Sequence, residues 1–295
     1  MQFRGLSAFP ITPASEKGEV DVVALEKLLL RLKQAKVNSV GLLGSTGLYA
    51  FLRREEKCKA IEAAVACLKG EIPVIVSAGA LRTDESVALA EDAEAAGANG
   101  LLLAPVSYTP LTEEEVFQHF SAVAQSTSLP ICIYNNPGTT HFTFTAGLLA
   151  RLGELPTIKA LKQPSSVSTD KAFVEELRGR FPADFAVGFS VDWHAPEALS
   201  AGGDVWFSVL GGLLPQHAMS LTQAAQRGDT KRMAELNSEL QPMWTLFQTL
   251  SSLRVVYCAA EILGICRPVL PRPLLPLQAE DRHKVERVLQ GLGLL

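Results

Sequence analysis

The chain has 295 residues, of which 47% are hydrophobic and 20% charged, and its formal net charge is −4 at pH 7. These proportions are typical of a globular protein with a large core and exclude the disordered and fibrous classes. Acidic and basic residues are interspersed along the chain, so we expect no nucleic-acid surface. No apolar run approaches the ~20 residues that span a membrane.

Eight short apolar runs are spread over the first three quarters of the chain. They lack the alternation of a half-exposed strand, as expected of parallel strands that are covered on both faces. The predicted strands are residues 5–11, 39–43, 73–77, 100–104, 130–134, 157–161, 185–187 and 205–209.

Segments with helical spacing separate these runs, at residues 21–36, 55–69, 83–96 and 112–127. Asp21 is a candidate N-cap for the first, and Thr112 with Glu115 forms a candidate capping box for the fourth. Strands that alternate with helices predict an α/β fold, a (β/α)8 or TIM barrel, over residues 1–228. Residues 229–295 show only helical segments, at 231–250, 253–263 and 281–289, and we expect this C-terminal helical segment to pack on the barrel. A doubly wound open sheet is the alternative.

Lys162 is the first candidate for catalysis because it directly follows the sixth predicted strand. Catalytic groups of such barrels lie at the carboxyl ends of the strands. Desolvation there favours a neutral amine, which is the form that attacks a carbonyl carbon. The alternative is a lysine that reaches bulk solvent from a loop. Lys159, three residues earlier, is expected to point to the opposite face.

Two further polar features follow predicted strands at the same rim. Tyr134 ends the fifth strand, where a phenol can relay protons at a Schiff base. Residues 44–47 follow the second strand, and the hydroxyls of Ser45 and Thr46, with the backbone N–H groups, suit a carboxylate. The alternatives are a tyrosine packed at a strand end and an ordinary turn before a helix. Together the three features place an amine, a phenol and a candidate anion site at strand exits on the same rim.

These residues belong to a longer series of motifs that runs through nearly the whole chain. The motifs are Ala8-Phe9-Pro10-Ile11-Thr12-Pro13 with Val20-Asp21, Gly44-Ser45-Thr46-Gly47 with Leu52 and Glu55-Glu56, Tyr134-Asn135-x-Pro137-Gly138, and Ile158-x-x-Leu161-Lys162. In this order and spacing the chain resembles the dihydrodipicolinate synthase/N-acetylneuraminate lyase family, which are class I pyruvate aldolases on a TIM barrel.

The resemblance implies a role for each candidate residue. Lys162 would form the imine with pyruvate, Tyr134 would relay protons, and Ser45 and Thr46 would bind the carboxylate. Thr46 would also take part in the proton relay. Gly47 of the same turn and Phe207 of the eighth strand are further candidate substrate-binding residues. No cofactor is implied, because the imine itself carries the chemistry.

The chain departs from the family's pattern around the second substrate. Leu48 stands where these synthases usually have glutamate, and Thr139 stands where they carry an arginine for the carboxylate of the semialdehyde. Only Tyr108 remains of two tyrosines after the fourth strand, one of which crosses a subunit interface in the family. Gln163-Pro164 replaces an acidic residue and a threonine. Each departure weakens the case for dihydrodipicolinate synthesis, and none affects imine formation.

The seventh strand exit also differs from the pattern of N-acetylneuraminate lyases, which have an Asp-Glu pair there. Residues 188–193 offer one acid, the hydroxyl of Ser190 and two aromatic rings, so a smaller or less hydroxylated aldehyde is expected. Phe189, Trp193 and Phe207 would favour a less polar aldehyde if they lined the barrel mouth. The alternative for each ring is a place in the core or the helix layer.

We therefore expect a Schiff-base-forming lyase that joins pyruvate, or another 2-oxo acid, to an aldehyde, or cleaves the product, like a 2-keto-3-deoxy acid aldolase. The alternative is 4-hydroxy-tetrahydrodipicolinate (dihydrodipicolinate) synthase. A barrel that binds a 2-oxo acid without turnover is a further alternative. The resemblance also implies a homo-oligomer, a dimer or tetramer.

Metal chemistry is not expected from the sequence. The five histidines are scattered without ligand spacing, and the five cysteines include no C-x-x-C pair. The cysteines are typical of small buried residues in a reducing compartment. Residues 1–5 lack the pattern of a signal peptide, so we expect a cytoplasmic protein.

Overall fold

The computed structural model describes residues 3–295, and eight parallel strands in it close into a barrel. The strands are β1 (Gly5–Ala8), β2 (Ser39–Leu42), β3 (Val74–Ser77), β4 (Gly100–Leu103), β5 (Ile131–Tyr134), β6 (Ile158–Pro164), β7 (Ala186–Ser190) and β8 (Val205–Ser208). Each strand pairs with the next one in the chain, and β8 pairs with β1. The predicted barrel is confirmed, and the open doubly wound sheet is wrong because the β1–β8 pairing closes the sheet. Residues 1 and 2, which belong to the predicted range 1–228, lie outside the described residues.

Helices follow the strands and cover the outside of the barrel. They are α1 (Val22–Gln34), α2 (Arg54–Leu68), α3 (Thr83–Ala95), α4 (Glu113–Ser126), α5 (Pro137–Thr140), α6 (Ala146–Gly153), α7 (Lys171–Arg178), α8 (Ala195–Ser200), α9 (Val209–Leu213), α10 (Pro215–Gln226), α11 (Thr230–Leu250), α12 (Ser252–Ile262) and α13 (Ala279–Gly291). The Asp21 carboxylate accepts the Ala24 N–H at 3.0 Å, as a side-chain N-cap. Thr112 and Glu115 form both hydrogen bonds of the predicted capping box. None of the helices within residues 3–295 is long and apolar enough to cross a bilayer.

Three predicted strand ends were wrong, those of the first, sixth and seventh runs, and proline explains the first. The first run was predicted to continue to residue 11, but β1 ends at Ala8, and Pro10 has no N–H for a ladder hydrogen bond. The seventh run was predicted to stop at residue 187, but β7 continues to Ser190. The sixth run was predicted to stop at residue 161, but β6 continues to Pro164. There Pro164 is paired in register with Ser190 of β7. Lys162 therefore lies within a strand and not in a loop.

The barrel interior is filled by large rings that face glycines on other strands. A Cβ on Gly41 would come within 2.2 Å of the Phe9 ring, and one on Gly188 within 2.5 Å of the Phe207 ring. Only glycine leaves this space, so the two rings can lie inside the barrel and meet edge to face, with centroids 6.0 Å apart. Both rings lie on the floor of the carboxyl end of the barrel.

Helices α11 and α12 bring the turn that joins them to the barrel. Helix α11 packs on α10, and α12 packs on α9 and α11. The two helices join at Ser251, whose φ of 72° makes the sharp turn between them. This turn lies at the mouth of the barrel. The division of the chain at residue 228 stays a prediction.

Candidate active site

Lys162 lies at the carboxyl end of the barrel, enclosed by aromatic rings. Its Cα is in register with Tyr134 on β5 and Gly188 on β7. The Lys162 Nζ lies 4.1 Å from the centroid of the Tyr134 ring, 4.5 Å from that of Phe9 and 5.8 Å from that of Phe207. Lys162 is 7% exposed. The interior of the barrel thus holds an amine against three aromatic faces.

The two lysines of β6 have opposite environments. Lys159 Nζ binds the Asp184 carboxylate at 3.0 Å near the start of the strand, and its side chain is 40% exposed. Lys162 has no carboxylate oxygen of residues 3–295 within 4.0 Å of its Nζ. Its amine is therefore not occupied by an ion pair and is available to attack a carbonyl carbon.

Tyr134, the last residue of β5, directs its hydroxyl to two polar partners. The Tyr134 phenol oxygen lies 3.2 Å from the Ser45 Oγ, and it accepts a hydrogen bond from the Asn136 Nδ2 at 3.1 Å. Burial raises the pKa of Tyr134, but the positive charge of Lys162 and the hydrogen bonds of its polar neighbours outweigh it. The net effect lowers the pKa of Tyr134 below its ordinary value of 10.0, which suits a group that gives and takes a proton.

The turn after β2 presents backbone donors to the same space. The amide groups of Ser45, Thr46 and Gly47 donate no hydrogen bond to the described part of the chain. Consecutive free N–H groups form a concave site for an anion such as a carboxylate. Thr46 is 6% exposed and lines the cavity beside Ser45. Gly47 lies behind the turn, where a Cβ would come within 2.9 Å of Thr12 Oγ1, and its predicted place in the cavity wall is not found.

These groups share one cavity of about 340 Å³ at the barrel mouth. The predicted residues Ser45, Thr46, Tyr134, Thr139, Lys162, Ser190 and Phe207 all line it. Trp193 also lines it. Phe189 points outward, and its ring occupies the space next to Gly203 that a Cβ would need. The alternative of a helix-layer ring therefore holds for Phe189. Tyr108 is 97% exposed and does not line the cavity of this chain.

Asp192 is a wall residue whose environment the sequence did not indicate. It is the one acid of residues 188–193, and its carboxylate accepts the Trp206 Nε1–H at 2.9 Å and the Leu210 N–H at 2.7 Å. Desolvation raises the pKa of Asp192 to about 6 in spite of these bonds. Asp192 thereby ties the loop after β7 to the start of α9. Its neighbour Val191, also in the wall, has a φ of 71°, a strained conformation for a β-branched residue.

Other wall residues come from segments to which no role was assigned. Asn136 follows β5 and contacts Tyr134, while Phe247, Ser251, Ser252 and Leu253 come from the α11–α12 turn. An Asn beside a strand exit was visible in the sequence, but its contact with the phenol was not. For the C-terminal residues no local signal exists, since they reach the mouth through the packing of helices. Within residues 3–295, no three His, Cys, Asp or Glu side chains are grouped to hold a metal ion.

Known proteins resemble this chain over its full length. The model of the dihydrodipicolinate synthetase family matches residues 2–292. A 4-hydroxy-tetrahydrodipicolinate synthase of Neisseria meningitidis serogroup B is 32% identical over 285 residues, which are 97% of each chain. One of Thiobacillus denitrificans is 32% identical and covers 96% of this chain and 95% of its own.

Solved structures show the same similarity. A dihydrodipicolinate synthase of Agrobacterium tumefaciens has a TM-score of 0.96 and 52% identity, over 98% of each chain. A dihydrodipicolinate synthase of Acinetobacter baumannii, solved in complex with pyruvate, has a TM-score of 0.91 and 28% identity, over 100% of each chain. The chain is therefore a Schiff-base-forming lyase and belongs to the dihydrodipicolinate synthetase family.

Proposed function

We propose that Lys162 forms an imine with pyruvate and that the derived enamine adds to an aldehyde, or that the enzyme cleaves such an adduct. The observation that carries this proposal is the buried Lys162 amine, free of any ion pair within residues 3–295, beside a phenol with a lowered pKa. The Acinetobacter relative was crystallised with pyruvate, which supports pyruvate as the oxo acid here. No cofactor is needed, since the protonated imine accepts the electrons.

Each proposed step uses a group of the cavity. The Lys162 nitrogen attacks C2 of pyruvate, whose carboxylate is bound by the free amides and hydroxyls of Ser45 and Thr46. The Tyr134 phenol protonates the departing C2 oxygen, which leaves as water and yields the imine. Loss of a C3 proton gives the enamine, which forms a bond from C3 to the aldehyde carbon, and the aldehyde oxygen takes a proton. Water then releases the product from Lys162.

The charge of the cavity supports a neutral aldehyde. Lys162 is the one basic residue among those that line it within the described chain, and the imine uses that residue. A second substrate carboxylate would find only neutral donors such as Thr139 and Ser190. Phe207 and Trp193 supply apolar surface next to them. We therefore propose a 2-keto-3-deoxy acid aldolase-like reaction.

The second candidate is 4-hydroxy-tetrahydrodipicolinate synthase, with aspartate semialdehyde as the aldehyde. The printed names of the relatives at 32% identity favour it, and so does the 52% identical structure. The two candidates share the imine and differ in the charge of the aldehyde. Kinetics with aspartate semialdehyde and with neutral aldehydes at saturating pyruvate separate them.

The imine itself is tested by reduction with borohydride in the presence of pyruvate. A mass increase that maps to Lys162, together with exchange of the pyruvate methyl protons in deuterated water, is the expected result. A chain that only binds the oxo acid would not exchange these protons. If pyruvate adds no mass and loses no protons, the proposal fails.

We also propose that the chain forms a homo-oligomer. Three large apolar side chains are exposed on the loops that follow β2, β3 and β4: Phe51 at 43%, Leu81 at 66% and Tyr108 at 97%. Exposed apolar groups on neighbouring loops are typical of an interface. Sedimentation of the wild type and of Tyr108→Ser tests the proposal, and a monomer at micromolar concentration would contradict it.

A further inference from the structure

Asn136 occupies an N-cap position without acting as a cap. It precedes α5, with φ −152° and ψ 82°, and its side chain makes no capping hydrogen bond. Asparagine is among the preferred N-cap residues because its Oδ1 accepts a free N–H of the first turn. Here the Asn136 Nδ2 instead donates to the Tyr134 phenol oxygen at 3.1 Å. A local rule is broken beside the reactive lysine, as is typical of a functional residue.

The backbone holds Asn136 in this orientation. Its carbonyl accepts the Thr139 N–H at 2.9 Å and the Thr140 N–H at 3.0 Å, together with the hydroxyls of both threonines. Pro137, which follows, has a fixed φ. The main chain therefore has little freedom, and the Asn136 amide is held against the phenol of a residue two positions earlier.

The contact with Asn136 limits where the phenol proton of Tyr134 can point. An amide nitrogen is a donor only, so the phenol oxygen must accept from Asn136. The single phenol proton then points to the Ser45 Oγ, at 3.2 Å, or to a substrate in the cavity. When Tyr134 is ionised, both Asn136 and Ser45 can donate to its oxygen.

We infer that Asn136 is a positioning residue for Tyr134, which directs the phenol proton into the cavity and stabilises the phenolate left after proton transfer. This inference rests on the proposed function. When Tyr134 protonates the C2 oxygen of the carbinolamine, the O–H bond of the phenol breaks and water leaves. The negative charge stays on the phenol oxygen, where the Asn136 N–H is already directed.

Other groups also act on Tyr134, and they remain in place when Asn136 is changed. Lys162 on β6 faces its ring at 4.1 Å, and Tyr49, in the turn after β2, is close enough for the two phenols to affect each other's ionisation. Cys132 lies on the same strand, and Asp192 faces the cavity from the loop after β7. The effect of Asn136 is thus measured against a constant background.

The test compares wild type with Asn136→Leu and Asn136→Asp by ultraviolet titration of tyrosinate, from which the curve of Tyr134→Phe is subtracted. Asn136→Leu removes the donor and raises the pKa of Tyr134, since burial is then less well opposed. Asn136→Asp keeps the shape, adds a negative charge beside the phenol and raises the pKa further. With Asn136→Leu, the rate of pyruvate trapping at saturating pyruvate falls about tenfold.

Thr140→Val is the matched control. It removes the hydroxyl that binds the Asn136 carbonyl at 3.0 Å, but the Thr139 and Thr140 N–H groups still hold that carbonyl, and the donor to Tyr134 is kept. If the inference holds, the pKa of Tyr134 in this variant stays that of wild type, and the rate of pyruvate trapping stays within about twofold of wild type. Should Asn136→Leu fail to fold, Asn136→Asp alone decides.

The outcomes separate this inference from the proposed function. A Tyr134 titration unchanged in both Asn136 variants overturns the role of Asn136, even where pyruvate is still trapped on Lys162. A wild type that traps no pyruvate overturns the proposed function, and the titration still reports whether Asn136 acts on the phenol. Equal losses of rate in Thr140→Val and Asn136→Leu, with equal titrations, would make the role structural only and also overturn the inference.

Discussion

Lys162 and Tyr134 are in register across β6 and β5, and the Lys162 Nζ lies 4.1 Å from the centroid of the Tyr134 ring. Both residues belong to strands of a closed barrel, so the positions of their Cα atoms are set by the backbone hydrogen bonds of the sheet and not by a loop. Reactive groups on rigid elements are held more precisely than groups on loops. The geometry that the proposed imine requires is therefore present before any substrate binds.

Replacement of the lysine gives the first prediction. Lys162→Ala reduces pyruvate trapping to below about one thousandth of wild type, because no other lysine of residues 3–295 lines the cavity. Lys159→Ala is the control on the same strand. It removes an exposed ion pair with Asp184 and leaves trapping nearly unchanged. Peptide mapping of the reduced adduct is the measurement, and an adduct on Lys159 would disprove the assignment.

Replacement of the phenol gives the second prediction. Tyr134→Phe keeps the ring against Lys162 but lowers kcat by about a hundredfold to ten-thousandfold, with a smaller change in KM for pyruvate. The phenol must be protonated to act as an acid, so the wild-type rate falls as pH rises through the pKa of Tyr134. Since this pKa is lowered, the fall begins below pH 10.0.

Rates of methyl-proton exchange measured across alkaline pH check this prediction. The profile of Tyr134→Phe should lack the alkaline fall that wild type shows. Two parallel profiles would mean that another group donates the proton. Ser45→Ala, which keeps the phenol, should retain the alkaline fall but at a higher pH, because the Ser45 hydrogen bond lowers the pKa of Tyr134.

Much of the barrel could be predicted from the sequence because parallel strands are short, continuous and apolar. The runs around Val74–Ser77 and Gly100–Leu103 were found for this reason. The end of β6 was missed because proline usually interrupts a strand, whereas Pro164 lies at its last position, where no N–H is required of it.

The candidate site was predictable only where a residue lies at, or directly after, the end of a predicted strand. Lys162, Tyr134 and the turn at Ser45 met that condition. Asn136 did not, since its contact with the phenol depends on the backbone angles before Pro137. Ser251 came from a helix pair almost ninety positions away from Lys162, a distance at which spacing in the sequence carries no information.

The buried carboxyl of Asp192 gives a third prediction, on stability. Its pKa is raised from 3.8 to about 6, so between these values the folded state holds a proton that the unfolded state has released. The contribution of this group to the free energy of unfolding is therefore fully present below pH 3.8 and is lost as pH rises through about 6. A difference of about 2 in pKa corresponds to about 3 kcal/mol.

Chemical denaturation of wild type and Asp192→Asn between about pH 4 and pH 7 measures this contribution. The variant has no charge to bury, so wild type should lose stability relative to it as pH rises across that range. The three N–H donors of Trp206, Val209 and Leu210 set the baseline difference between the two proteins. Parallel pH curves would show that Asp192 titrates alike in both states.

The fourth prediction concerns the choice of aldehyde and depends on Thr139. Thr139 is exposed at the cavity mouth, so a longer side chain can extend there without displacing the core. Thr139→Arg supplies a charge-assisted hydrogen bond to a substrate carboxylate, worth about 1.5–3 kcal/mol when desolvated. Because the site is exposed, solvent screening favours the lower end, and we expect about a tenfold gain in kcat/KM for aspartate semialdehyde.

Thr139→Gln is the control of similar length without charge, and it should leave the preference between charged and neutral aldehydes within about twofold. Steady-state kinetics at saturating pyruvate compare aspartate semialdehyde with a neutral aldehyde of equal length for all three proteins. A gain in the arginine variant alone assigns the preference to charge at this position. If wild type already prefers the semialdehyde by a wide margin, the neutral-aldehyde proposal is wrong. The chain is then a 4-hydroxy-tetrahydrodipicolinate synthase whose carboxylate contact does not involve Thr139.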